Sequence, residues 1–505
     1  CKPDVFEKKY ERIDYKEVNM KFCRNKLVPE YITGKQELSK EDVVRLLQES
    51  EIFSPKYDTN EDYFYGKHKI LNREFDDPSK PNNQVMCNIP KYIVQVRTGF
   101  FSSSPLTLES RNEEYMDDIR KILDQNDFKQ TFNQLDTYCS IFGHSFLVLY
   151  MNDDGRITFT AQNPKDWIYV RDNSLEKKPK FAIRYYAWWD DVENLQMYDI
   201  ELYTDTEIIN YEGSPMDLRE VRRRPHYFDG LPVIEFMENE SRQGSYENVI
   251  SLIDTYELML SDTANTINYF SDCYLVLTGM QETQAEDIAK MKNDRVLLVP
   301  EGCQAAFLTK DVSENYNENM LKRLQEQIFV VACTPLLSDS SFSSNSSGVA
   351  IQFKLFSMEK SVQLKENIFR AGFNNLFALI RGMINKLDRK SYTEDDKIIQ
   401  TYTRSLPMDL SALADSISKL NGVVSRRTLM TQLDFVSDAA LEEEQLRKEQ
   451  EELIELEATK AKKMFEATPQ PMMGMGNNGG GKPNEAGKNI GTNTAKNYEQ
   501  KKANN

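Results

Sequence analysis

"LPVIEFMENESRQGSYENVISLIDTYELMLSD", from Leu231 to Asp262, decides the fold, because the hydrophobic period changes inside it. Leu231 to Phe236 is a short run with β-branched and aromatic residues that closes a strand-rich region. From Glu247 the period becomes helical. Val249, Ile253, Tyr256, Leu260, Ala264 and Ile267 step by three and four, an apolar stripe on a helix of about 25 residues. A mixed region before the change and long helices after it make the fold class α+β.

Upstream, "ELSKEDVVRLLQES" carries a capping box, Ser39 with Asp42, followed by helical spacing. From about Gln84 helix and strand alternate. "SFLVLYM" (Ser145 to Met151) and "RITFTA" (Arg156 to Ala161) predict a hairpin turning at Asn152 to Gly155. "FAIRYYAWW" from Phe181, "QMYDIELYT" from Gln196, "TEIINYEG" and "LPVIEF" add strands. Residues 1–245 are therefore expected to hold an N-terminal segment and one domain built on an antiparallel sheet.

Downstream, the first long helix occupies 246–272. "CYLVLTG", "QAEDIAKMK", "RVLLVP" and "QAAFLTKD" read as a small strand-helix-strand-strand module over 273–313. The segment 314–337 holds a second helix, from Glu314 to Thr334, with Met320, Leu324, Ile328 and Val331 on one face and Pro335 as its stop. Then comes "SDSSFSSNSSG", a polar loop in which seven of the ten residues from Ser338 to Ser347 are serine. Helical spacing resumes at Gly348 and continues to Asp388, with Leu355, Met358, Val362, Phe369, Phe373, Leu376, Ile380 and Leu387 on the buried side. At 1.5 Å per residue such a helix is about 60 Å long, and Gly372 and Gly382 are its expected bends. It needs neighbours along its whole length, and other subunits are the simplest source. An extended return, "KIIQTYTRSLP", completes 349–408; a helical region spans 409–466, and a Gly/Asn/Lys-rich tail, 467–505, is expected to be disordered.

The 505 residues suffice for two to four domains. With 40% hydrophobic and 28% charged residues the composition is that of a soluble globular chain, and no run reaches the roughly 18 apolar residues of a membrane span. The 63 basic against 80 acidic residues leave a net charge of −17, which argues against a protein that grips nucleic acid over its whole surface. Seven scattered cysteines without CxxC spacing read as reduced thiols in an intracellular setting. The opening Cys1 reads as processing or trimming, and the absence of a signal peptide argues against a lipoprotein.

Enzyme signatures are missing. The tail's "GGGKPNEAGKN" lacks the spacing and the preceding strand of a phosphate-binding loop. His68, His144 and His226 show no metal-ligand spacing and read as packing or surface residues, so no metal or cofactor is expected. Asp153 and Asp154 could hold Mg²⁺ in a nucleic-acid enzyme, but "NDDG" is a standard hairpin turn; Asp190 and Asp191 read as a solvated strand end. "RRRPH" is the one dense basic cluster: Arg222, Arg223 and Arg224 read as a solvated loop or as a contact for phosphate or an acidic partner.

At the change of period the sequence resembles a known family. "HYFDGLPVIEFMENESRQGSYENVISLIDTYELMLSD" is similar to the wing-to-stem junction of tailed-bacteriophage portal proteins, of the head-to-tail connector type common in long-tailed phages of Gram-positive hosts. "YGKHKI", "PNNQVMCNIPKYIVQVRTGFFSSSPLTLE", "GHSFLVLYMNDDG", "SSGVAIQFKLFSMEKSVQLKENIFRAGFNNLF" and "LADSISKLNGVVSRRTLMTQLDFVSD" resemble further family segments in the same order, over residues 40–450. No single motif decides it; the ordered series does. The resemblance implies a wing (1–245), two stem helices, a clip (273–313), a long spine helix and a helical crown (409–466), in a subunit of a ring, normally twelve-fold. It implies a DNA channel at one capsid vertex, assembled in the host cytoplasm and serving packaging, ejection, capsid initiation and head-tail joining. The implied partners are double-stranded DNA, the terminase large subunit, a head-completion or adaptor protein, and scaffolding and major capsid proteins, without a membrane. Ser338, Asp339, Ser340, Ser341, Phe342, Ser343, Ser344, Asn345, Ser346, Ser347 and Gly348 would form the tunnel loop.

Overall fold

The computed structural model describes residues 29–77, 80–191, 194–270, 274–279, 286, 302–308, 314–337 and 348–404, parts of 415–436, and 439–466. Residues up to Ala439 form one unit and those from Ala440 a second.

The predicted hairpin is present as β3 (His144–Met151) and β4 (Ile157–Gln162). Asn152 makes the turn: its backbone N–H donates to the Arg156 carbonyl at 3.0 Å, and its Oδ1 accepts the Arg156 N–H at 2.8 Å. Gly155 supplies the positive φ of 72° that the turn demands. With β10 (Val233–Met237) the hairpin forms a three-stranded sheet, order β10-β3-β4. A second, six-stranded sheet has the order β1-β5-β6-β7-β8-β9. Its strands are β1 (Tyr31–Thr33), β5 (Trp167–Asp172), β6 (Pro179–Asp190), β7 (Leu195–Tyr203), β8 (Glu207–Ser214) and β9 (Asp217–Pro225). The single sheet expected from sequence is thus two, and β1 runs parallel to β5. The reason lies in β3. Its residues are buried on both faces, with Phe146 and Val148 toward the six-stranded sheet and Leu147 and Leu149 toward the helices.

Helix α1 (Lys40–Ser50), started by the Ser39–Asp42 capping box, lays Val43, Leu46 and Leu47 on the outer face of the six-stranded sheet. Helices α2 (Ser54–Tyr65), α3 (Ile89–Phe101), α4 (Glu113–Gln125) and α5 (Phe128–Phe142) precede β3. A short strand, β2 (Thr107–Ser110), pairs antiparallel with β13 (Ile398–Thr401). After β10 a single 3₁₀ turn leads into α6 (Ile250–Phe270). β11 (Tyr274–Thr278) and β12 (Gln304–Leu308) then pair antiparallel. Of the central helix expected in that module only Glu286 is described, and it is helical; the expected strand "RVLLVP" lies outside the described residues.

Helix α7 (Glu314–Val331) packs on α6 through Ile253, Ile328 and Phe329. Helix α8 (Gly348–Leu387) is 40 residues long. Leu355, Met358, Val362, Phe369, Phe373, Leu376 and Ile380 are buried as predicted, each contributing about 1.5–3 kcal/mol. Leu387, Val331 and Ile267 were expected on buried faces and are exposed instead, each at or near the end of its helix. Gly372 and Gly382 do not interrupt α8. A Cβ on Gly372 would stand 2.5 Å from the Phe236 ring, and one on Gly382 2.3 Å from the Asp229 carboxylate, so both glycines serve close approach.

Helix α9 (Arg426–Met430) belongs to the first unit. Helix α10 (Ala439–Glu466) is the described part of the second, with a Lys448–Glu444 ion pair at 2.9 Å along its own surface. The tail lies outside the described residues. Among those described, no helix is long and apolar enough to cross a membrane.

Candidate functional site at the roots of the long helices

Ser338 to Ser347 lie outside the described residues, and Gly348 is the first residue of α8. The chain on either side is fixed, and α3 does the fixing. The Tyr92 hydroxyl accepts the Leu337 N–H at 2.8 Å and donates to the Pro335 carbonyl at 3.3 Å. One turn on, buried Arg97 donates to the Ala332 carbonyl at the end of α7 (3.3 Å), to Ser361 Oγ on α8 (2.9 Å) and to Glu238 Oε1 (3.0 Å). Helix α7 closes with the Thr334 N–H on the Phe329 carbonyl at 3.0 Å, and Cys333 takes the left-handed φ of 49° that such an end requires.

Behind Arg97 lies a buried ionic set. Lys365 Nζ on α8 bonds Glu238 and pairs with Asp136 of α5, and Ser140 Oγ is 3.3 Å from it. Glu238 also accepts from Ser245 Oγ at 2.8 Å, and Asp136 from Ser102 Oγ at 2.7 Å. Two cations meet two carboxyl groups, and burial pushes the Asp136 carboxyl above its ordinary value against the pull of Lys365. Burial opposes the Glu238 charge, but Lys365 and Arg97 outweigh it and hold the carboxyl at about 2. Burial likewise opposes the Lys365 charge, and Asp136 and Glu238 keep its pKa above the usual lysine value. Removing one member would strand a buried charge, which generally costs about 3–5 kcal/mol.

A second buried set joins the two sheets. Glu235 of β10 accepts from Arg242 Nε (2.6 Å) and Nη2 (3.0 Å), from Arg171 Nη2 (2.6 Å) and from His144 Nδ1 (3.0 Å). His144 Nε2 meets the Tyr57 hydroxyl at 2.7 Å. Burial opposes the Glu235 charge, yet Arg242 and His144 hold its pKa well below the usual carboxylate range. Gly143 makes this packing feasible: its φ is 90°, and a Cβ there would sit 2.1 Å from the Arg242 carbonyl oxygen.

The other sequence candidates are scattered. Asp153 and Asp154 are exposed in the β3–β4 turn; Asp190 ends β6 and Asp191 begins the next turn. No group of three or more His, Cys, Asp or Glu able to hold a metal ion occurs among the described residues. Arg222, Arg223 and Arg224 lie on edge strand β9 and not in a loop; they are exposed, and Arg223 pairs with Glu220 (3.0 Å) and Glu207 (3.3 Å). The strand escaped the sequence reading because "DLREVRRRP" has no apolar alternation and buries only Leu218. All three histidines are buried and hydrogen-bonded. Sequence reasoning missed the ionic set, although a signal was present: Lys365 stands in the apolar phase of α8, between Val362 and Phe369, where a core residue was due.

Comparison with known proteins covers the whole of this region. The family model "Phage portal protein, SPP1 Gp6-like" matches residues 45–456. The portal protein of Bacillus phage SPP1 is 23% identical over 394 residues, 75% of this chain and 77% of that protein. The portal protein of Clostridium phage phiCD119 is 23% identical over 409 residues, 74% of this chain and 88% of that protein. The matched span runs from within α1 to within α10 and includes both ionic sets and helices α6, α7 and α8, and the chain belongs to the SPP1 Gp6-like family of phage portal proteins.

Proposed function

We propose that this chain is the subunit of a ring through which double-stranded DNA enters and leaves a phage capsid at one vertex. The match of a portal family model to residues 45–456 carries the reading. In it, the two-sheet body is the wing, α6 and α7 are the stem pair, 273–313 is the clip, Ser338 to Gly348 the tunnel loop, α8 the spine and 409–466 the crown. The ring has twelve subunits, and its contacts are head-to-tail, since only those close into cycles larger than two. It is built in the host cytoplasm with scaffolding and major capsid proteins, receives the terminase large subunit during packaging and an adaptor afterwards, and ends in the virion. Arg222, Arg223 and Arg224, exposed on β9, offer a basic contact for phosphate or an acidic partner. The role is structural and not catalytic, as the family's is; the exposed Asp153/Asp154 pair is assigned to a turn, and Asp190/Asp191, of which Asp190 is half-buried, to a strand end.

Exposed Phe353, Phe356 and Leu364 on α8 support a neighbour along that helix, because one chain leaves them uncovered. The test is packaging in vitro. Procapsids assembled with this chain, given terminase and ATP, should protect linear DNA from nuclease, and procapsids assembled without it should not. Equal protection in both would refute the reading.

A further inference from the structure

Helix α6 buries three polar side chains one turn apart, Glu257, Ser261 and the half-buried Asn265, on the face where an apolar stripe would be expected. Their partners are backbone amides of an extended segment lying antiparallel along the helix. Asn83 N donates to Asn265 Oδ1 at 2.6 Å, Val85 N to Ser261 Oγ at 3.0 Å and Cys87 N to Glu257 Oε1 at 2.8 Å. Two extended residues advance about 6.7 Å and one turn of four helical residues about 6 Å, so alternate amides meet successive turns. Of the intervening residues, Gln84 is exposed and Met86 is half-buried. This is a strap, and His68 stands at its end.

His68 is fully buried, with Nδ1 2.5 Å from Glu257 Oε1 and Nε2 2.8 Å from the Tyr63 carbonyl. Both neighbours are acceptors, whereas a neutral imidazole carries one N–H. The other two histidines differ. His226 has the Thr204 carbonyl on Nε2 and the Phe228 N–H on Nδ1, and His144 has a carboxylate on one nitrogen and the Tyr57 hydroxyl on the other. A neutral ring satisfies each of them. At His68 only an added proton does; without it one acceptor faces another in a dry site.

We propose that the strap Asn83–Cys87 is locked onto helix α6 by a proton held between His68 and Glu257, and that losing this proton loosens the strap. The groups facing His68 agree. From α6 come Glu257 and Asp254, the latter accepting from the Tyr63 hydroxyl; from α2 comes the Tyr63 ring, stacked on His68 at 4.6 Å. From the strap comes the Cys87 thiol, which burial and Glu257 keep protonated. The adjacent Lys67 is turned outward to Asp62 at 3.4 Å. Burial opposes the His68 charge, but Glu257 and the Tyr63 carbonyl outweigh it, so the pKa lies above the ordinary histidine value. Closure is therefore fully favoured below about pH 6.5, the pKa of an open, solvated His68, and weakens as pH rises through the elevated value.

Hydrogen exchange of the full-length chain in its native assembly, corrected for intrinsic base catalysis, tests this at the amides of Asn83, Val85 and Cys87. Their protection should fall by up to about tenfold per pH unit above about pH 6.5 and level off once His68 is neutral. Ser261→Ala should lower protection at Val85 and keep the pH slope. His68→Gln and Glu257→Gln should each abolish the slope. Flat protection in the wild-type chain, or a wild-type slope that survives either substitution, would overturn the proposal.

Discussion

A single residue, Lys365, shows how this fold attaches its longest helix. It occupies a core position on α8 yet reaches Asp136 on α5 and Glu238 after β10, so it ties three elements at one point. Lys365→Met keeps the side-chain volume and leaves two buried carboxylates facing each other. It should lower stability by about 3–5 kcal/mol, read as the denaturant midpoint, and Lys365→Met combined with Asp136→Asn should recover part of that loss. A midpoint unchanged in the single variant would show that the set carries no stability. Gly372 makes the complementary case in apolar packing. Gly372→Ala presses a methyl group into the Phe236 ring, itself wedged between Phe369 and Phe373 at 5.0 Å from each. The expected cost is about 1–3 kcal/mol, and Phe236→Leu in the same chain should relieve it. Both residues were visible in the sequence only as anomalies, a lysine in an apolar phase and a glycine inside a helix. What each touches is set by chain segments more than 100 positions away, and no local pattern encodes that.

Among the elements, those with a strong period were legible and those held by cross-chain bonds were not. The α8 register was readable because its buried side must repeat over 40 residues against one continuous core. Strand β9 was not, because an edge strand needs only its ladder to β8 and tolerates a charged sequence. The strap along α6 was equally hidden, since its backbone amides carry the contact and any side chain supplies them. The serine-rich segment lies outside the described residues, and its proposed role rests on chemistry. A surface that lets DNA slide must not hold it, and each phosphate neutralised by lysine adds a salt-dependent term of about −0.9 in log K against log salt. Replacing Ser343, Ser344 and Ser346 with Lys should therefore leave assembly intact, stall packaging at low salt and allow recovery at high salt. Normal packaging by that variant would remove the segment from the channel.

For the whole molecule, the ordered series of resembling segments led to the portal family, and the matched span of 45–456 agrees with it. Composition alone would not have done so; a net charge of −17 argues only against a surface that clings to nucleic acid. Subunit number was not legible, because it depends on surfaces between chains; Phe353, Phe356 and Leu364 on α8 are exposed in the single chain. The most direct test is native mass spectrometry of the purified full-length protein, paired with negative-stain images of the same sample. The account predicts one closed species of twelve chains of 58.7 kDa with a hole on its axis. A monodisperse monomer across micromolar concentrations, or an assembly with no axial hole, would contradict it.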